Sequence, residues 1–199
     1  MINSVSVKSN IIANYIGQIY SAGIGIVILP FYLKYLGLEA YGLVGFFTML
    51  QAWIALLDLG LSPAMMREAA RLKNSYGGLV ELKILLRSIE VVFFILAFIL
   101  IILTLSNSNE IAQSWLKINE LTIEDVAHSI VLMGFMISLK LIVSLYRSTI
   151  NGCEYQVWLN IFLVIVNTLK FAGGFIFVKY VSRDITHFFE YQMFIGVVE

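Results

Sequence analysis

Two lysines stand where a charge is costly. Lys140 and Lys170 interrupt segments that are otherwise almost wholly apolar, and polar groups in such surroundings turn toward a bundle interior or a watery cavity. Their neighbours at helical spacing are polar as well. Lys140, Ser144, Arg147 and Asn151 share one stripe, and Asn160, Asn167, Lys170 and Gly174 share another. An earlier segment carries Asn10, Asn14, Gln18, Ser21 and Gly25 at steps of three or four. Three helices so marked can line one cationic, hydrated cavity, with Lys140, Lys170, Arg147, Asn14, Gln18 and Asn167 as the candidate binding residues. A second reading stays open. Lys140 lies about 10 Å of helix from the inner end of its segment and Lys170 about 12 Å from the outer end of its own. Either side chain can snorkel toward lipid headgroups.

Other chemistry finds little footing. His128 and His187 are far apart and neither has a metal-ligand companion at helical spacing. The single cysteine, Cys153, rules out an internal disulfide and a cysteine metal cluster. No glycine-rich phosphate loop, serine elbow or acidic pair within the apolar segments is present. The expectation is no catalytic residue, no metal and no cofactor. Ser21, Gly25, Gly173 and Gly174 read as close-packing positions, and Trp53, Trp115 and Trp158 as interfacial anchors.

The elements that hold these stripes follow from hydropathy. Of 199 residues, 60% are hydrophobic and 13% charged, against about 45–50% and about 25% in an ordinary soluble domain. Mean hydropathy is +0.89. Thirteen basic residues balance thirteen acidic ones, so nucleic acid has no electrostatic footprint here. A spanning helix needs about 20 mainly apolar residues. Five segments qualify: Ser9 to Leu33, Ala40 to Pro63, Ile84 to Leu105, Val126 to Tyr146 and Val157 to Val178. A sixth begins near Ile185 and reaches Glu199. The first is too long for a signal-peptide core and reads as a retained span. Pro30 lies near its far end, where a break in the helix costs least. Arg87 and Glu90 are spaced to pair across one turn. The fold expected is an all-α polytopic bundle, residues 1–199 forming a single transmembrane domain of five complete spans and part of a sixth.

Charge sets the orientation, since cytoplasmic loops gather Lys and Arg. The loop after span two holds Arg67, Arg71 and Lys73, with Lys83 and Arg87 at its edge. The loop from Ser106 to Asp125 holds Lys117 beside Glu110, Glu120, Glu124 and Asp125. With Lys8 before span one and Arg147 after span four, the N-terminus reads as cytoplasmic. Lys179 and Arg183, in the fifth loop, run against that pattern.

Two stretches are more specific than hydropathy. The first is Leu29-Pro30-Phe31-Tyr32-Leu33-Lys34-Tyr35-Leu36-Gly37-Leu38-Glu39-Ala40-Tyr41-Gly42-Leu43; the second runs Leu57-Asp58-Leu59-Gly60-Leu61-Ser62-Pro63-Ala64 and on through Arg67-Glu68-Ala69-Ala70-Arg71. Together they resemble the opening of bacterial polysaccharide flippases, the O-antigen and capsule translocases of the multidrug, oligosaccharidyl-lipid and polysaccharide exporter superfamily. The landmark positions are Gly37, Glu39, Tyr41, Gly42, Asp58, Gly60 and Arg67. Read physically, they shape turns and caps: Gly37 and Gly42 flank a turn, Glu39 favours a helix start, and Asp58 can pair with Arg67 or Arg71. A direct role in transport is the alternative.

The resemblance implies a cytoplasmic (inner) membrane transporter that moves a polyprenyl-diphosphate-linked oligosaccharide by alternating access. Such proteins have two six-helix lobes, so this chain looks like the N-terminal one, cut within span six. The implied partners are that lipid-linked oligosaccharide, membrane lipids, the missing C-terminal lobe, and a polysaccharide polymerase and glycosyltransferases. Lysine as a point charge and arginine as a bidentate donor both suit a diphosphate. Rival readings are a multidrug or cation antiporter of the same superfamily, a membrane-embedded sugar or phosphate transferase, and a non-transporting assembly subunit. An antiporter is expected to bury a carboxylate in this lobe, and the middles of the five complete spans hold none. That favours an anionic cargo.

Overall fold

Every regular element in the computed structural model, which describes residues 7–114 and 121–199, is a helix. They are α1 (Val7–Leu36), α2 (Leu38–Leu57), α3 (Leu61–Leu72), α4 (Gly78–Ser114), α5 (Ile123–Gly152), α6 (Gln156–Thr168), a π-helical turn (Leu169–Gly173), α7 (Gly174–Tyr180) and α8 (Ile185–Val198). The side chain of Lys8 and residues Trp115, Lys117 and Glu120 lie outside the described residues. Among the described residues four helices are long and apolar enough to cross a membrane: Asn10–Leu36, Gly78–Ser114, Ile123–Gly152 and Gln156–Tyr180. The 20-residue α2 lies between the first two.

The connections gather at two ends. At one, Lys73 pairs with Glu154 at 2.7 Å, and the Asn10 amide reaches the Glu154 carbonyl at 3.5 Å. This joins the start of α1, the α3–α4 connection and the α5–α6 connection. At the other end the Arg183 guanidinium lies 5.8 Å over the Tyr35 ring, tying the α7–α8 connection to the end of α1. Two buried cores stabilise the bundle. One joins Tyr32, Val44, Ile130, Met133 and Phe189 across α1, α2, α5 and α8. The other joins Met65, Ala69, Phe93, Leu141 and Leu145 across α3, α4 and α5.

Several boundaries differ from the apolar runs. The second helix stops at Leu57, not Pro63, because Leu59 and Gly60 take left-handed backbone angles, φ 50° and 77°. The basic segment expected as a loop is mostly the amphipathic helix α3, whose Ser62, Met65, Ala69 and Leu72 are buried. Ser106 to Ser114, expected as loop, continues α4. Pro30 breaks nothing: α1 runs six residues past it. One lost backbone bond on an exposed face is a small cost in so long a helix. Gly37, with φ 88°, makes the α1–α2 turn. Gly42 does not flank that turn; it lies within α2.

Candidate functional site

One cavity of about 470 Å³ lies among α1, α2, α5, the α6–π segment and α8. Lys140, Arg147, Lys170, Gln18 and Asn167 all line it. Asn14 is not in its wall. Its amide donates to Gln156 Oε1 at 2.6 Å, and it accepts from Asn160 Nδ2 at 2.5 Å. The polar stripes of α1 and α6 thus face one another. Asn167 donates to Ser21 Oγ at 2.7 Å, and the Tyr20 and Thr168 hydroxyls lie 2.7 Å apart. Gly17 permits this approach, since a Cβ there would lie 2.5 Å from Asn160 Oδ1.

The third stripe, on α5, divides its work. Lys140 donates to Gln51 Oε1 on α2. Ser144 donates to the Leu141 carbonyl at 2.6 Å and lies 3.3 Å from the Ser62 hydroxyl. Helix α5 runs 12 residues beyond Lys140 to Gly152, about 18 Å at 1.5 Å per residue. The segment ends at Tyr180, ten residues beyond Lys170, or about 15 Å. Both helices therefore continue further past the lysines than the apolar runs do.

Lys170 is carried by the π-helical turn. Such a turn frees backbone carbonyls, and neighbouring helices supply their partners. Tyr32 Oη donates to the Phe171 carbonyl at 2.9 Å, Gln192 Nε2 to the Lys170 carbonyl at 2.8 Å, and Tyr191 Oη to the Leu169 carbonyl at 2.7 Å. Helices α1 and α8 therefore hold the turn from two sides. A π turn inside an α-helix commonly marks a functional site.

The cavity also holds a carboxylate, carried at the end of α8. Glu199 accepts from Arg147 with one oxygen and from Lys170 with the other, and its side chain is 7% exposed. Three cations and one carboxylate thus line the cavity. A second carboxylate is buried between α4 and α5. Glu90 pairs with Arg87 at 2.6 Å, the i, i+3 pair expected from spacing, and also accepts from the Tyr146 hydroxyl.

The family model described as "Polysaccharide biosynthesis protein" matches residues 7–199. The chain belongs to the polysaccharide biosynthesis protein family. Comparison with curated proteins and with solved structures gives no match. Family membership and the apolar helices together make this a multi-pass membrane protein tied to polysaccharide biosynthesis.

The landmark residues of this family member lie in turns, caps and helices. Asp58 does not pair with Arg67 or Arg71. Its carboxylate caps α3, accepting from the Ser62 backbone N–H at 3.2 Å and from the Ser62 hydroxyl at 2.5 Å. Arg71 pairs with Glu68 at 2.7 Å, and Arg67 is exposed on α3. Glu39 opens α2 in its first turn, and Tyr41 packs against the core that contains Tyr32 and Phe189. Neither histidine joins a ligand set: among the described residues no group of three or more His, Cys, Asp or Glu is placed to hold a metal. Trp53 and Trp158 are exposed, Trp158 stacking on Phe162 at 5.8 Å.

Proposed function

We propose that this polysaccharide biosynthesis protein moves a polyprenyl-diphosphate-linked oligosaccharide across the cytoplasmic membrane, with the anionic headgroup held in the central cavity. The observation that carries this reading is the convergence of Lys140, Arg147 and Lys170, from α5 and the π turn, on one cavity. Its volume lies in the range of about 300–1,000 Å³ typical of small-molecule sites. Gln18, Asn160 and Asn167 add neutral donors and acceptors suited to sugar hydroxyls. The protein acts as a transporter and performs no covalent chemistry.

In this reading there are five complete spans and a sixth segment, α8, and the basic end is cytoplasmic. That end holds α3, the N-terminus and the α5–α6 connection. A second helical lobe completes the pathway, since alternating access moves one bundle against another. Opposite this stands a cation-coupled drug antiporter, which the Glu199 carboxylate favours.

Deleting the gene separates the two. A flippase loss traps lipid-linked oligosaccharide on the cytoplasmic leaflet and leaves susceptibility to cationic dyes unchanged. Heightened dye susceptibility with normal surface glycan would reverse the assignment.

A further inference from the structure

The central cavity carries its own anion. Glu199 bridges two cations that come from different elements, Arg147 on α5 and Lys170 on the π turn. Arg147 is 30% and Lys170 22% exposed, so both are largely withdrawn from water. Each carboxylate oxygen takes one cation, much as two phosphate oxygens would. Lys140 differs: the partner it donates to is the neutral Gln51. Three cations in one small cavity repel strongly, and a single carboxylate offsets part of that cost while no ligand is bound. The residual formal charge is positive.

The place of the pair matters as much as its charge. A second, apolar groove of about 240 Å³, lined by Tyr146, Ile150, Trp158 and Phe162, runs between α5 and α6. Arg147 and Glu199 belong to the walls of both the groove and the central cavity. The ion pair therefore stands at their junction. An amphiphile with its charged head in the cavity and its chain in the groove must cross that junction.

We infer that Glu199 is a built-in counter-ion, exchanged for the oxygens of an anionic headgroup as the ligand enters. No covalent bond changes; two ion pairs to the carboxylate are traded for two to the ligand. The exchange makes Glu199 a determinant of specificity. It weakens binding of every anion, so that an anion offering several oxygens competes best, and it provides an internal ligand that assists release. The inference rests on the anionic-cargo reading above, and the test is chosen to separate the two.

The experiment titrates the protein in nanodiscs of zwitterionic lipid with inorganic diphosphate, farnesyl diphosphate and farnesol. Glu199→Gln keeps the shape and removes the charge. Both diphosphates are expected to bind this variant at least about tenfold tighter than wild type, a difference of about 1.4 kcal/mol. Farnesol binding stays unchanged. Adding Arg147→Ala and Lys170→Ala to Glu199→Gln removes the gain. Equal or weaker diphosphate binding by folded Glu199→Gln overturns the exchange. A variant that unfolds and is rescued by diphosphate supports it; one that diphosphate does not rescue shows a structural carboxylate and overturns it. A gain for inorganic diphosphate with no preference for the prenylated form keeps the exchange and sinks the lipid-linked cargo.

Discussion

Asn167 on α6 donates a 2.7 Å hydrogen bond to Ser21 on α1, joining positions 146 apart in the chain. The Ser21 hydroxyl in turn donates to the Gly17 carbonyl at 2.8 Å, so neither group is left unpaired. With Asn14–Asn160 below and Tyr20–Thr168 beside it, the bond forms part of a polar seam between two otherwise apolar helices. Interhelical hydrogen bonds in membranes average about 0.6 kcal/mol and reach about 1.7. A double-mutant cycle of Ser21→Ala and Asn167→Ala, read by unfolding in mixed micelles, should give a coupling in that range. Strict additivity would mean that α1 and α6 do not meet along this seam.

Gly152 and Gly42 should respond in opposite ways to alanine. A Cβ at Gly152 would lie 2.3 Å from the Met66 carbonyl oxygen and 2.7 Å from Ala69 Cβ, where α3 packs on α5. Overpacking of that kind costs about 1–3 kcal/mol, so Gly152→Ala should lower the melting temperature. At Gly42, a helical site in α2, a Cβ meets nothing within 4 Å. Gly42→Ala should be neutral or stabilising by up to about 1 kcal/mol. Thermal unfolding of the two purified variants checks the contrast, and equal responses would contradict the α3–α5 packing.

Orientation is checked by labelling. In a Cys153→Ser background, a cysteine at Asn74, exposed in the α3–α4 connection, should react only from the cytoplasm. A cysteine at Asn109, exposed near the far end of α4, should react only from outside. The basis is the cluster of bases from Arg67 to Arg87 and its acidic counterpart beyond residue 106. Reversed accessibility would invert the bundle.

Much of this architecture was legible in hydropathy, which marks the apolar middle of a helix well and its ends poorly. The first, third, fourth and fifth expected spans each fall within a helical segment long enough to cross a membrane. Helix α4 extends well past Leu105 because Ser106 to Ser114 are helical although polar. Helix α3 was hidden for a related reason: an amphipathic helix of 12 residues with exposed arginines reads as a basic loop. The lining residues Lys140, Arg147, Lys170, Gln18 and Asn167 stood out because polar groups at helical spacing are conspicuous among apolar ones. Asn14 carried the same signal yet serves the α1–α6 seam. The π turn left no trace, since its carbonyls are satisfied by Tyr32, Tyr191 and Gln192 from distant segments. Glu199 was missed because its partners lie 29 and 52 positions away. No spacing rule links them. The signal available was a lone carboxylate beside Gly196 at the end of an apolar run.

In the proposed function the cavity lysines serve an anionic lipid-linked cargo. The most direct measurement replaces Lys140 and Lys170 singly by alanine at the chromosomal locus, then assays surface glycan beside membrane abundance of the protein. Lys140 donates to a neutral amide, so removing its charge relieves a desolvation cost, and in Lys170→Ala the Arg147 guanidinium remains to neutralise Glu199. Each alanine variant should reduce export strongly, by about tenfold or more if an ion pair worth about 1.4 kcal/mol is lost, with membrane abundance near wild type. Lys→Arg at either site should retain partial export, because charge persists while geometry changes. Near-normal export by both alanine variants, at normal abundance, would contradict the cationic-cavity account.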